Sequence, residues 1–288
     1  MNFDAFTKDI VDNNWKVFGT EVYEKGVLTH SFGDTEENVY EIYSATKTVL
    51  SIAVGIAVDE GKFDINKCIL DYMPENKVDI MTDEQKKTFE VITVERLLTM
   101  SVADLPFRAE GDSFLDFSLA YKIERPEVRQ FNYSNISAYL VGVALTEALG
   151  MDLGTFIEER IFKPLGIDKY EYDRCPEGYF YGASSMKLTV NGLSRLGLLL
   201  YNKGVYDGKR ILSEKWVEAA TSIQQMNREG GYGYFIWKYR DGFSINGKWK
   251  QKCYILPKEE LMISYLSHIE DDSHDLLDSM EKHILGVE

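Results

Sequence analysis

The apolar stretch that follows Ser44 constrains the fold of this chain more than any other segment. In EIYSATKTVLSIAVGIAVDEG, residues 41 to 61, small or branched apolar residues fill nearly every position from Val49 to Val58. A helix that is apolar on almost every side is expected to be central and buried. Gly61 suits its C-terminal cap, because glycine readily adopts the left-handed conformation in which many helices end.

Length and charge limit the possible domain organisation and binding partners of the chain. The chain has 288 residues, 44% of them hydrophobic, which suffices for a sizeable core and predicts one continuous globular unit. A formal net charge of -15 would repel a phosphate backbone, so no nucleic-acid partner is expected. The apolar stretch is too short to cross a bilayer, and MNFDAFTKDIVDNNW lacks the basic start and apolar block of a secretory signal. We therefore expect a soluble cytoplasmic protein without a membrane partner.

Cysteine and histidine give no indication of a metal or a disulfide framework. The three cysteines are far apart and have no CxxC spacing, and the four histidines form no HxxxH or HExxH pattern. We expect neither a metal site nor a cofactor. The sequence does not indicate an oligomeric state.

The periodicity of the chain changes from strand to helix and back to strand. It predicts a helix over residues 3 to 13, a hairpin of WKVFGTEVY and GVLTHSF joined by Glu24, Lys25 and Gly26, and mainly helices from 61 to about 225. GYGYFIWKY, FSINGKWKQKCYIL and LMISYLSH then predict an antiparallel meander, and a last helix covers 272 to 285. We predict an α/β fold with an antiparallel sheet from both termini. Its α/β subdomain would be 1–60 with 228–288, and its helical subdomain 61–227.

Ser44 and Lys47 are candidates for nucleophilic chemistry. Residues three apart on a helix share a face, so Lys47 can reach the Ser44 hydroxyl, which attacks poorly unless a neighbour takes its proton. The N-terminus of the helix would also offer free N–H groups to an oxyanion. SxxK occurs three times in the chain, however, and Ser44 could instead be only a helix cap.

A second motif, Tyr133-Ser134-Asn135, changes this balance. It occurs once, just before the helix-like ISAYLVGVAL, where it could also serve as a turn and cap. Together with Ser44-x-x-Lys47 it resembles the serine β-lactamase and penicillin-binding protein superfamily, in particular the class C branch, where Tyr-x-Asn replaces the Ser-Asp-Asn of class A. ITVERLLTM, FIEERIFKPLGI and GYGYFIW are similar to further family segments, in the family's order. The resemblance implies the serine β-lactamase-like fold.

The third family motif, Lys-Thr-Gly or a variant on a late strand, is altered here. The preferred register places it on Lys248-Trp249-Lys250, followed by Gln251, and a competing register uses Ile245-Asn246-Gly247. In the first, Lys250 replaces the glycine that lets substrate approach the strand. Trp249 would then contact substrate or lie on an exposed strand. TMSVAD also lacks the usual Ser-Gly, and no class A Glu-x-x-x-Asn loop is found.

The resemblance implies a serine hydrolase that forms an acyl-enzyme on a small ester or amide. Ser44 would be the nucleophile and either Lys47 or Tyr133 the base, with the pKa of Tyr133 lowered by Lys47 and Lys248. Asn135 would orient Lys47 and bind substrate, and the backbone N–H groups of Ser44 and Gln251 would hold the oxyanion.

Lys248 and Lys250 favour a substrate with a carboxylate. Two alternatives remain open. One is a ligand-binding protein on the same fold that has lost turnover, and the other is an unrelated helical protein in which the motifs are coincidental caps.

Overall fold

The computed structural model of the chain describes residues 1–287, and its N-terminal part follows the expected order. Helix α1 (Phe3–Asp12) precedes strands β1 (Val17–Glu24) and β2 (Val27–Gly33). The two strands form a hairpin whose turn residues, Lys25 and Gly26, have φ of 52° and 77°. Two consecutive positive φ angles match the turn that best follows the twist of a two-residue hairpin. The predicted first helix and hairpin are confirmed.

The rest of the chain alternates helices with short strands before it returns to the sheet. The elements that follow β2 are β3 (Tyr40–Glu41), α2 (Thr46–Asp59), α3 (Glu75–Asp79), α4 (Asp83–Phe89), α5 (Val94–Leu98), α6 (Phe114–Ala120), α7 (Asn135–Leu149), α8 (Leu153–Ile157), α9 (Lys163–Leu165), β4 (Tyr170–Tyr172), β5 (Met186–Leu188) and α10 (Val190–Tyr201). The C-terminal elements are β6 (Val205–Tyr206), β7 (Lys209–Arg210), α11 (Glu214–Thr221), β8 (Trp237–Tyr239), β9 (Gly242–Gly247), β10 (Gln251–Leu256), β11 (Leu261–Ser267) and α12 (Asp275–Met280).

A six-stranded antiparallel sheet joins the two ends of the chain. Its strand order is β2-β1-β11-β10-β9-β8, and Val22 of β1 pairs with Ile263 of β11. The predicted sheet from both termini is therefore confirmed. The boundaries proposed for the two subdomains stay a prediction.

Helix α2 is the buried centre of the larger core. Its residues from Thr46 to Ala57 are all buried, and it contacts α7, α8 and α11. It ends at Asp59, and Gly61 follows with φ 67° and donates its N–H to the Val58 carbonyl oxygen. The apolar pattern thus gave both the burial of the helix and the glycine at its end.

The sheet separates two apolar clusters. The large cluster contains α2, α7 and α10, and the small one lies between the opposite face of the sheet and α1 and α12. Successive side chains of a strand point to opposite faces of the sheet. On β1, Val22 accordingly belongs to the small cluster and Tyr23 to the large one. The edge that ends in β9 and β8 lies next to the start of α2, because β9 contacts the turn that precedes this helix.

Two of the predicted late strands are shorter than expected. In GYGYFIWKY only Trp237–Tyr239 forms a strand. FSINGKWKQKCYIL was predicted as one strand, but it is a hairpin in which a 3₁₀ turn, Lys248–Lys250, joins β9 to β10. Trp249 and Lys250 have φ of 56° and 65°, so the extended strand is interrupted there. Strand β11 agrees with the prediction from LMISYLSH, and the predicted last helix is α12 continued by a π-helical turn, Glu281–Leu285.

Within residues 1–287 no single helix has the length and apolar character needed to cross a membrane. The helix at Asn135–Leu149 and the segment Leu153–Leu165 meet that criterion only when counted together, and they are bent by 84°.

Candidate active site

Ser44 lies in a 3₁₀ turn, Tyr43–Ala45, immediately before α2. Tyr43 has φ 48°, which turns the chain from β3 into the helix, and the Ile42 N–H anchors this turn on the Met186 carbonyl oxygen at 2.9 Å. The N-cap of α2 is Ala45, and neither this helix nor the turn before it has a side-chain capping bond. The interpretation of Ser44 as only a helix cap is therefore wrong, and its half-buried hydroxyl faces other groups.

Lys47 is the polar centre of the site. Its side chain is 1% exposed, and its Nζ lies 3.2 Å from Ser44 Oγ, 2.7 Å from Asn135 Oδ1 and 2.7 Å from the Ala183 carbonyl oxygen. Burial lowers the pKa of Lys47 to about 7, because an ammonium loses its hydration inside the protein. A substantial fraction of the amine is thus neutral near pH 7.

The Tyr133-Ser134-Asn135 turn both begins a helix and supplies the site. Ser134 is the N-cap of α7, and its Oγ accepts from the Ile136 N–H at 3.1 Å. The Asn135 N–H donates to the Phe107 carbonyl oxygen at 2.6 Å, and its side chain reaches Lys47. The capping role expected for a turn is fulfilled by Ser134, which leaves Tyr133 and Asn135 beside Lys47.

Tyr133 lies in an aromatic enclosure. Its ring is stacked on Trp237 with centroids 5.5 Å apart, meets Tyr232 edge-on at 6.3 Å, and has the Lys47 ammonium 4.9 Å from its centroid. Burial raises the pKa of Tyr133 to about 12, and contact with the Ser44 hydroxyl acts in the opposite direction. The Tyr133 hydroxyl and Ser44 Oγ do not have hydrogen-bond geometry. Within residues 1–287, Lys47 is the only side chain that forms a hydrogen bond with Ser44 Oγ. The expected lowering of the pKa of Tyr133 is therefore not found, because burial outweighs the groups that would lower it.

The preferred register of the third motif also needs correction. Lys248, Trp249 and Lys250 form the turn between β9 and β10, whereas the competing Ile245-Asn246-Gly247 lies on β9. Gly247 is the residue that comes close to the start of α2, since a Cβ built on it would lie 2.1 Å from the Ile42 carbonyl oxygen.

The side chains of the turn mainly hold its strained backbone. Lys250 Nζ donates to the Ser273 carbonyl oxygen and forms an ion pair with Asp271 at 3.1 Å. Gln251 is buried, and its side chain bonds to the backbone of Ser267, whose N–H donates to Oε1 at 2.9 Å. These contacts explain how Lys250 can keep φ 65° without being glycine.

Trp249 and Lys248 lie at the outer end of this turn. The Trp249 ring packs edge-on against Tyr43 at 5.1 Å and lies 4.1 Å from the His268 ring, while the Lys248 ammonium is 4.3 Å from the Trp249 centroid. Trp249 is therefore next to the neighbour of Ser44 and not on an exposed strand.

Several groups of the site were not predicted. The Ala183 carbonyl oxygen fixes Lys47, but a backbone acceptor has no sequence signature. Tyr232 and Trp237 belong to GYGYFIW, whose aromatic density was a usable signal for a site wall.

Comparisons with known proteins agree on one family. The family model described as "Beta-lactamase" matches residues 19–283. A "Putative D-alanyl-D-alanine carboxypeptidase" of Salmonella agona (strain SL483) is 22% identical over 239 residues, which cover 72% of this chain. The chain spans only about half, 55%, of that relative's length.

Solved structures of low sequence identity have the same fold. The penicillin binding protein from Bacillus halodurans has a TM-score of 0.74 at 15% identity, covering 96% of this chain and 99% of that one. A "Putative 6-aminohexanoate-dimer hydrolase" from Bacillus anthracis has a TM-score of 0.75 at 19% identity, covering 97% and 80%. At these identities the likeness demonstrates the architecture alone.

Proposed function

This chain belongs to the beta-lactamase family, and from the chemistry of its site we propose that it is a serine hydrolase that forms an acyl-enzyme on a small ester or amide. Ser44 is the nucleophile in this proposal. The observation that carries it is the environment of Lys47, which unites burial, a hydrogen bond to Ser44 and two fixed acceptors.

The hydrogen bonds of Lys47 favour it as the base. A neutral amine has two N–H donors and one lone pair, and two of its three neighbours, Asn135 Oδ1 and the Ala183 carbonyl oxygen, can only accept. The lone pair is then left for the third neighbour, the Ser44 hydroxyl. Lys47 would take the proton of Ser44 while Oγ attacks the substrate carbonyl carbon.

Tyr133 is better suited to donate a proton than to remove one. With its pKa raised to about 12, the phenol is protonated at neutral pH. When the tetrahedral intermediate collapses, the leaving group would take the phenolic proton and Tyr133 would recover one from protonated Lys47. Water would then attack the acyl carbon while Lys47 accepts its proton. When the ester bond to Ser44 breaks, Lys47 would return this proton to Ser44 Oγ, so that the acid and the free enzyme are released.

The oxyanion requires backbone donors beside Ser44. The Ser44 N–H lies in the turn before α2, where the positive end of the helix dipole favours negative charge. The Gln251 N–H as the second hydrogen-bond donor to the oxyanion stays a prediction. Gly247 comes close to Ile42, just before this turn, so β9 would form the opposite side of the oxyanion pocket.

Covalent labelling tests the proposal directly. A fluorophosphonate should add one phosphonyl group to the wild type, detected by intact mass, and peptide mapping should place it on Ser44. Ser44→Ala should remain unlabelled. Ser51→Ala is the matched control, because it makes the same change about two helical turns further along the chain, and it should be labelled like the wild type. A phosphonyl group on another residue, or equal labelling of Ser44→Ala, would refute Ser44 as the nucleophile.

The substrate panel should contain both esters and amides, because the names of the relatives refer to a carboxypeptidase and a dimer hydrolase. The alternative, a ligand-binding protein without turnover, would bind members of the panel while releasing no product. A cytoplasmic location also remains a prediction, and fractionation of cells that express the native gene would test it.

A further inference from the structure

The connecting segment, residues 121–133, brings Tyr133 into the site without forming a helix or a strand. It lies between α6 and α7, and its regular backbone pairing is an isolated bridge at Arg129. Asn135 is the first residue of α7 and Ser134 is its N-cap, so the helix itself fixes these two residues. Tyr133 precedes the cap. Its position therefore depends on the contacts that hold the connecting segment.

A buried arginine, Arg96, binds the connecting segment. It is 6% exposed, and the N–H groups of its two terminal nitrogens donate to four backbone carbonyl oxygens. Two acceptors belong to the connecting segment, Pro126 at 2.5 Å and Val128 at 2.8 Å. The other two, Val91 at 2.9 Å and Ser101 at 3.2 Å, lie before and after α5. One guanidinium thus joins the connecting segment to both ends of α5.

The positive charge of Arg96 is balanced by these carbonyl oxygens. In the described range 1–287 it forms no salt bridge, and the neighbouring Glu95 is paired with Arg129 at the surface. A buried cation is costly unless other acceptors replace its hydration, and removing a partner from it is strongly destabilising. The four carbonyl oxygens therefore cannot leave Arg96 cheaply, which makes this connection stiff.

The turn that follows α5 transmits the restraint to the site. Ser101, which accepts from Arg96, lies between Met100 and Val102. The Met100 carbonyl oxygen accepts from the Asn132 N–H at 2.8 Å, and the Val102 carbonyl oxygen accepts from the Asn132 side chain at 3.1 Å. Because Asn132 directly precedes Tyr133, the backbone on which the phenol is mounted rests on this turn.

We propose that Arg96 is a positioning residue for Tyr133, which fixes the phenol where the leaving group takes its proton. This inference rests on the proposed hydrolase function and on the proton-donor role of Tyr133 in it. A misplacement of about 1 Å in a reacting group can cost about 100-fold in rate. Arg96→Lys keeps the charge, but a compact ammonium cannot reach the acceptors arranged around a planar guanidinium, so the connecting segment should shift.

Two esters with the same acyl group test this assignment. 4-Nitrophenolate leaves 4-nitrophenyl acetate without a proton, whereas the ethoxide of ethyl acetate needs one from Tyr133. We expect Arg96→Lys to lower kcat/KM about 10- to 100-fold for ethyl acetate and less than threefold for 4-nitrophenyl acetate. Tyr133→Phe should give the same pattern. Adding Arg96→Lys to Tyr133→Phe should cost less than a further twofold, because both changes remove one function.

Arg129→Lys is the matched control. Arg129 belongs to the same segment, but its ion pair with Glu95 is exposed and contributes little. This variant should keep the wild-type ratio of the two kcat/KM values. Equal losses on both esters in Arg96→Lys, or losses that add fully to those of Tyr133→Phe, would overturn the proposal.

Asn132→Ala tests the same connection if Arg96→Lys does not fold. It removes the side-chain amide that donates to the Val102 and Leu105 carbonyl oxygens and leaves the buried arginine in place. We expect the same selective loss on ethyl acetate. An Asn132→Ala protein with the wild-type ratio would count against the path from the turn to Tyr133.

Amide hydrogen exchange separates the two proposals. Peptides from residues 128–133 should exchange at least ten times faster in folded Arg96→Lys than in the wild type, while Arg129→Lys should match the wild type. A wild type without hydrolysis or fluorophosphonate labelling would contradict the hydrolase, and exchange alone would then decide whether Arg96 holds the segment. Hydrolysis with an unchanged ester ratio and unchanged exchange in Arg96→Lys would contradict only the role of Arg96.

Discussion

Lys47 Nζ donates to the Ala183 carbonyl oxygen at 2.7 Å, a contact between residues 136 positions apart in the chain. This carbonyl, together with Asn135 Oδ1, fixes the amine 3.2 Å from Ser44 Oγ. Because Lys47 is in the first turn of a buried helix, it cannot reach water without losing these partners. The amine is therefore held beside Ser44 before substrate binds.

Substitution of Lys47 should abolish most of the activity. We expect both Lys47→Met and Lys47→Arg to lower kcat about 10²- to 10⁴-fold, the usual contribution of a general base. Arginine keeps the charge but does not lose its proton, so Lys47→Arg tests basicity separately from charge. Ester hydrolysis and the rate of fluorophosphonate labelling are the measurements, with circular dichroism to verify folding. A folded Lys47→Arg that retains a tenth of the wild-type rate would exclude Lys47 as the base.

The pH dependence should report the titration of Lys47. Its pKa is lowered to about 7, and only the neutral amine has a lone pair for the Ser44 proton. Below about pH 7, kcat/KM should fall about tenfold per pH unit, and it should level off above that value. The profile is measured with a neutral ester so that titration of the substrate does not contribute. A rate that is flat from pH 5 to 8 would contradict this assignment.

Asn135→Asp should shift the fall of kcat/KM at low pH to a higher pH. The new carboxylate would lie beside Lys47 Nζ, where Asn135 Oδ1 is now 2.7 Å away, and a nearby negative charge stabilises the ammonium. Activity should drop at pH 7 and recover in part near pH 9. Asn135→Ala removes the acceptor without adding charge, so it should lower kcat without this upward shift. Identical pH profiles of the two variants would argue against a direct contact with the base.

Gly247→Ala should disturb both stability and catalysis. Its Cβ would lie 2.1 Å from the Ile42 carbonyl oxygen, so β9 or the turn at Ser44 must move. We expect a loss of about 1–3 kcal/mol in the free energy of unfolding, typical of overpacking. Urea denaturation and ester hydrolysis measure the two effects.

Gly142→Ala is the control for this substitution. Its Cβ would have ordinary contacts, the nearest at 3.7 Å from the Phe180 carbonyl oxygen, and it lies inside α7. Alanine favours a helix by up to about 1 kcal/mol over glycine, so this variant should be as stable as the wild type or more so. A Gly247→Ala protein that resembles Gly142→Ala would mean that β9 is not constrained by Ile42.

The sequence contained the parts of the site that local patterns encode. The run from Val49 to Val58 predicted a buried helix because apolar residues on all faces leave no surface for water. The spacing of Ser44 and Lys47 predicted their contact because residues three apart share a helix face. Tyr133 and Asn135 were found through a short turn that also starts a helix.

The remainder depends on tertiary contacts without a local signal. Lys248-Trp249-Lys250 reads as part of a strand, and its left-handed backbone is maintained by Ser267, Gln251 and Ser273, which lie further along the chain. The raised pKa of Tyr133 results from the burial produced by packed rings, which the residue type alone does not indicate.

The pairing of Val22 with Ile263 also bears on how the chain is made. During translation β1 and β2 leave the ribosome long before β11, so one edge of the hairpin has no neighbour while most of the polypeptide is synthesised. Such late, long-range pairing slows folding and exposes strand edges to association with other nascent chains. The architecture that draws both ends together therefore makes this protein a strong candidate for assistance by chaperones until its last strands emerge.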